Sequence, residues 1–121
     1  MFLKLNHQKL DVYAFSKTFV LESYKLTKNF PADEKFGMIS QIRRAALSVH
    51  LNIAEGSSRK SEAERKRYYE IARGSIVEVD AALDIANELT YTDNIALELL
   101  SESMIKTFKI LSALIKQTES H

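Results

Sequence analysis

The sequence predicts an all-α protein, an antiparallel up-down bundle of four amphipathic helices. The 121 residues include only three glycines and one proline, too few turn-formers for an all-β sandwich. Apolar residues recur at spacings of three and four through four successive segments, the period of one helix face. The breaks between those segments are short, which makes consecutive helices antiparallel neighbours. A single domain over 1–121 is expected, large enough to bury roughly two thirds of its unfolded surface.

The first helix is expected over about 10–29. Val12, Phe15, Phe19, Leu26 and Phe30 form one apolar stripe, and Tyr13, Val20 and Tyr24 a second face. A helix apolar on two sides either sits deep in the bundle or meets another subunit. Pro31 stops or restarts the chain, with Asp33 and Glu34 suited to a positive helix N-terminus.

A second helix, 32–55, repeats Ile39, Ile42, Ala46, Val49 and Ile53 as a bundle seam. Beside the seam runs a polar stripe of Gln41, Arg44, Ser48, Asn52 and Glu55. Gly56 is expected to end the helix as a left-handed cap. The third helix, 61–89, opens with Ser61 and Glu64 placed for a capping box. Its seam reads Tyr68, Ala72, Ser75, Val79, Ala82, Ala86 and Leu89. The fourth, 92–117, takes Thr92 as N-cap and carries Leu97, Leu100, Met104, Leu111 and Leu114, with Ile105, Phe108 and Ile115 alongside.

Composition narrows the function. At 45% hydrophobic and 27% charged the chain is ordinary globular protein, neither disordered nor membrane-spanning. It lacks cysteine, so disulfides, zinc knuckles and thiol nucleophiles are excluded. Met1 to Leu10 does not read as a signal peptide, and the expected location is cytoplasmic. Di-iron bundles need inward Glu-x-x-His pairs. The histidines are His7, His50 and His121, and none completes such a pair. His50 reads as a solvent or packing residue. No nucleophile elbow or phosphate-binding glycine loop occurs. Catalytic residues, a metal and a cofactor are therefore not expected, and the protein reads as a non-enzyme.

Charge is distributed unevenly despite a net of +1. Residues 41–73 hold eight Lys/Arg against four Asp/Glu, whereas 74–102 hold seven Asp/Glu and no base. The basic set is Arg43, Arg44, Arg59, Lys60, Arg65, Lys66, Arg67 and Arg73. Antiparallel packing gathers Arg59 to Arg67 at one end of the bundle, beside Tyr68 and Tyr69. Such a cluster is either a solvated face or a sequence-independent phosphate-binding patch. The polar stripe admits two readings as well. It is a hydrogen-bonded ladder fixing helix register or a subunit contact, or it is a ligand- or RNA-facing surface.

The run Gln41-Ile42-Arg43-Arg44-Ala45-Ala46, then Ser48, Asn52-Ile53-Ala54-Glu55-Gly56, Arg59 and Ser61, resembles the signature of a bacterial four-helix-bundle family. Phe30-Pro31 with Glu34, and Ile71-Ala72-Arg73-Gly74-Ser75, fit the same pattern; Tyr13 stands where tryptophan would be expected. The family includes proteins encoded by intervening sequences within bacterial 23S ribosomal RNA genes. The resemblance implies a bundle that assembles into a homopentameric ring. Related accessory proteins of diversity-generating retroelements form basic pentamers that bind nucleic acid and a reverse transcriptase. A balanced +1 chain is a weaker nucleic-acid candidate than those basic relatives. The expected function is thus a non-catalytic homo-oligomer that binds structured RNA through the basic zone. The alternative is an adaptor whose acidic face, Glu78, Asp80, Asp84 and Glu88, meets a protein partner. A membrane partner is not expected.

Overall fold

The first helix forms because its apolar residues repeat on one face, and it needs no side-chain cap. In the computed structural model α1 spans Asp11–Thr27, with Leu10 as an extended N-cap. The structure describes residues 2–5, 8 and 10–119, so His7 and His121 lie outside the described residues. Val12, Phe19 and Leu26 are buried at successive spacings of seven, and Phe30 joins them just past the helix. Phe15 is only half-buried. The core face of α1 also takes in Ser16, Ser23 and Thr27, which apolar patterning does not mark. Their hydroxyls are satisfied mainly within the helix: Ser23 Oγ donates to the Phe19 carbonyl at 2.8 Å and Thr27 Oγ1 to the Ser23 carbonyl at 2.9 Å.

Pro31 does not begin the second helix as expected. It leads into a single 3₁₀ turn, Ala32–Glu34, and α2 follows over Met38–Ser57. Glu34 makes the join by accepting the Met38 N–H on Oε1 at 3.2 Å, a side-chain cap supplied from the preceding turn. Ile42, Ala46, Val49 and Ile53 are buried as the seam requires, with Ala45 beside them.

Gly56 departs from the expected left-handed cap. It lies inside α2, and no described glycine has a positive φ. A Cβ at Gly56 would stand 2.9 Å from Tyr69 Cε1 and 3.0 Å from Tyr68 Cβ. Glycine is needed here for close approach between helices rather than for backbone freedom.

The third helix, α3, spans Glu62–Glu88. Ser61 caps it, its Oγ accepting the Glu64 N–H at 3.3 Å. The buried seam is Tyr69, Ala72, Ile76, Val79 and Ala86. This corrects the sequence assignment at four points: Tyr68 and Ser75 are half-buried at the flank facing α2, Ala82 is half-buried, and Leu89 is exposed.

The fourth helix, α4, spans Glu98–Glu119 and so starts six residues after the expected Thr92. Thr92 is buried in the connection, where its hydroxyl donates to Asn87 Oδ1 at 2.8 Å. Leu100, Leu111 and Ile115 reach the core together with Ser103 and Thr107, whereas Ile105 and Phe108 stay exposed.

The four helices form a square bundle. Each packs on its two chain or cyclic neighbours, α1 on α2 and α4, and α3 on α2 and α4. Phe19, Ile42, Ile53, Ile76 and Leu111 fill the middle. Burying side chains of this size is worth about 1.5–3 kcal/mol each. Alanines at 45, 46 and 72, with Gly56, bring α2 and α3 into the most extensive contact of the bundle.

Candidate nucleic-acid interface

Antiparallel packing puts the C-terminus of α2 and the N-terminus of α3 at one end. Five of the eight candidate basic residues collect there: Arg59, Lys60, Arg65, Lys66 and Arg67. They do not play equal parts. Arg59 donates through Nη2 to Glu55 Oε2 at 2.7 Å and to the Tyr68 hydroxyl at 3.2 Å. Its guanidinium carbon lies 5.1 Å from the Tyr68 ring centroid. Tyr68 first, then Glu55, push the Arg59 pKa further above its ordinary value against the opposing effect of burial. Arg65 donates through Nη1 to the carbonyls of Arg59 at 3.0 Å and Lys60 at 2.7 Å. Arg65 therefore pins the α2–α3 turn by satisfying two carbonyls of the turn itself.

Lys60 and Arg67 are exposed, and Lys66 is half-buried. Glu62 and Glu64 stand in the first turn of α3, where the helix dipole favours their charge and they partly offset the cationic cluster. The tyrosines after the basic run divide as well. Tyr69 belongs to the core, its hydroxyl 3.1 Å from Ser57 Oγ, while Tyr68 backs Arg59. Both tyrosines of this end are thus engaged in side-chain contacts, Tyr69 with Ser57 and Tyr68 with Arg59.

The other three basic residues lie apart from this end. Arg43 is drawn into the α1/α2 joint: Nε donates to Thr27 Oγ1 at 2.8 Å, Nη2 to the Tyr24 carbonyl at 3.3 Å, and the guanidinium lies 4.7 Å from the Tyr24 ring centroid. Arg44 is exposed on α2, hydrogen-bonded to Gln41 Oε1 at 2.7 Å and 3.4 Å from Glu78 Oε2. Arg73 donates to Ser112 Oγ at 3.3 Å across the α3/α4 joint.

The polar stripe follows the α2/α3 joint. Ser48 Oγ sits 3.1 Å from Ser75 Oγ, and Asn52 Nδ2 donates to the Ser48 carbonyl at 2.8 Å and its hydroxyl at 3.1 Å. Ser48 and Asn52 are half-buried, while Gln41, Arg44 and Glu55 are exposed. From Arg44–Glu78 through Ser48–Ser75 to Glu55–Arg59, the stripe is a succession of separate pairings along this side of the bundle.

One contact had no signal in the sequence spacing. His50 Nδ1 lies 2.7 Å from the buried Ser16 Oγ, and its ring centroid is 4.4 Å from that of Tyr13. Ser16 Oγ also donates to the Tyr13 carbonyl at 3.0 Å. Among the described residues no three His, Asp or Glu side chains are grouped to hold a metal ion, and no helix is long and apolar enough to cross a membrane.

The comparison with protein families decides the kinship, because the model of the 23S rRNA-intervening sequence protein family matches residues 8–113. The chain belongs to that family. No curated protein matches it. Among solved structures, this family member is similar to a protein of unknown function from the S23 ribosomal protein family of Bacteroides thetaiotaomicron. The two are 25% identical, the match covers 87% of this chain and 98% of that one, and the TM-score is 0.70. Membership thus accounts for the bundle and for the motif along α2, and it leaves the activity open.

Proposed function

We propose that the protein is a non-catalytic, cytoplasmic homo-oligomer that binds structured RNA through phosphate contacts at the α2–α3 end of the bundle. The observation that carries this reading is the gathering of Arg59, Lys60, Arg65, Lys66 and Arg67 at one end of the molecule. The RNA in the family's name supports the choice of nucleic acid. Ring assembly, with the five members that the family resemblance implies, would repeat the cationic end around an axis and multiply its field. Arg65 and Arg59 shape the surface, while Lys60 and Arg67 supply mobile charge to phosphates. Arg43, Arg44 and Arg73 contribute to the field from a distance.

The test is a gel-shift titration with structured RNA at several salt concentrations. Affinity is expected to fall steeply as salt rises, by counterion release. The pair Lys60→Glu and Arg67→Glu should weaken binding and reduce the magnitude of the salt slope by about two, roughly one per lost phosphate contact. Absence of binding at moderate salt, or binding indifferent to salt, overturns the reading. A second reading rests on the exposed acidic face of α3, where Glu78, Asp80, Asp84 and Glu88 could meet a basic protein. The Lys60 and Arg67 reversals would leave such an interaction unchanged.

A further inference from the structure

Glu55 is a carboxylate in an unfavourable place. It stands in the last turn of α2, at the negative end of the helix dipole, and no basic residue of that turn offsets it. Arg59, just past the helix, holds it there, with Nη2 2.7 Å from Glu55 Oε2. The pair is open to solvent, the Glu55 side chain 53% exposed and that of Arg59 39%. An ion pair so exposed contributes little to the fold and is readily exchanged.

Arg59 differs from its partner in being fixed. Tyr68 backs the guanidinium, its ring centroid 5.1 Å away, and its hydroxyl accepts from the same Nη2 at 3.2 Å. Among the described residues, both side-chain hydrogen bonds of Arg59 run through Nη2, so Nη1 and Nε have no protein acceptor. The Nε is moreover buried. A guanidinium held in place with donors to spare is suited to planar recognition of an oxyanion. Lys60 and Arg67, exposed at the same end, add a field that draws polyanions toward it.

We infer that Glu55 occupies the place of an RNA phosphate on Arg59 and is displaced from it when RNA binds. Arg59 is then a phosphate ligand as well as a support of the surface, and Glu55 sets the affinity by competing for it. The displaced carboxylate turns to solvent, repelled both by the end of α2 and by the arriving phosphates. The exchange swaps one anion for another on a fixed guanidinium, and no covalent bond changes. This inference rests on the proposed RNA binding at the α2–α3 end and is independent of the oligomeric state.

The test is a double-mutant cycle read by fluorescence anisotropy with a labelled RNA hairpin at one moderate salt concentration. Glu55→Gln should tighten binding about two- to five-fold, the equivalent of one exposed ion pair. Arg59→Gln should weaken binding and abolish that gain, so that the double variant binds like Arg59→Gln alone. A gain of undiminished size in the Arg59→Gln background reports only the loss of a negative charge, and the inference fails. Unchanged or weaker binding by Glu55→Gln overturns it too, while RNA binding by the unaltered chain still stands. If neither the unaltered chain nor Glu55→Gln binds, the RNA reading and this inference fall together. Should Arg59→Gln lose helix content in circular dichroism, phenylglyoxal modification of the unaltered chain decides instead. RNA is expected to protect Arg59 in mass spectra of the modified peptides, and equal modification with and without RNA overturns the inference.

Discussion

The two ends of α3 are built by opposite means. At its N-terminus, local chemistry suffices for the cap and the turn: Ser61 accepts the Glu64 N–H and Arg65 reaches back to the carbonyls of Arg59 and Lys60, while Gly56 of α2 lets Tyr68 and Tyr69 approach closely. At its C-terminus the backbone turns through Thr90 in the left-handed region, at φ 67°. The Thr90 N–H bonds the Asn87 carbonyl at 3.0 Å and the Tyr91 N–H the Ala86 carbonyl at 2.9 Å, a Schellman closure. That closure ordinarily uses glycine, and a β-branched residue there costs about 1 kcal/mol or more. Long-range contacts offset the cost. Tyr91 packs at a tilt on Phe30 with centroids 5.3 Å apart and donates to Glu34 Oε2 at 3.0 Å. One end is therefore set by neighbours in sequence, and the other by residues almost sixty positions away.

The contrast is open to attack from its strongest point downward. Gly56→Val should cost about 2–3 kcal/mol in chemical denaturation, because the added methyls must displace two packed tyrosines. A neutral outcome would mean that α2 and α3 are not in close contact at that end. The caps should then respond with opposite signs. Ser61→Ala should destabilise by about 1 kcal/mol through loss of the Glu64 N–H acceptor. Thr90→Gly should stabilise by roughly 0.5–1 kcal/mol by relieving the left-handed strain. Equal signs in thermal melts would erase the distinction between the two ends.

The smallest expected effect concerns Tyr91. Its hydrogen bond to the Glu34 carboxylate, and then burial, raise the phenol above its ordinary value. A group whose pKa is higher folded than unfolded lends stability at lower pH that disappears as pH rises through the folded value. Tyr91→Phe should therefore flatten the alkaline limb of the stability profile. It should also remove from an ultraviolet titration a phenol whose ionisation is displaced to higher pH. An unchanged titration would mean that the 30–34 and 89–94 segments are not joined through this hydroxyl.

Much of the candidate interface was legible for the same reason that the α2–α3 end was. Arg59 to Arg67 are close in sequence, and an antiparallel turn keeps them close in space. Their division of labour was not legible. Arg65 is spent on turn carbonyls, and Arg43 is withdrawn onto Thr27 and Tyr24 of α1. Neither fact follows from charge patterning, since both depend on where a guanidinium finds acceptors after packing.

The sequence by itself determined the number of helices, their antiparallel order, the seams through Ile42 and Val49, and the Ser61 cap. Those features follow from periodicity and from bonds spanning three or four residues. Tertiary structure decided the remainder. It buried Ser16, Ser23 and Thr27 once their hydroxyls bonded within α1 or to neighbouring side chains, and it placed Gly56 against Tyr69 instead of in a left-handed cap. It also delayed α4 to Glu98 by anchoring Tyr91 and Thr92. In each case the deciding partner lies across the bundle or within a packed turn, where only the assembled chain can supply it.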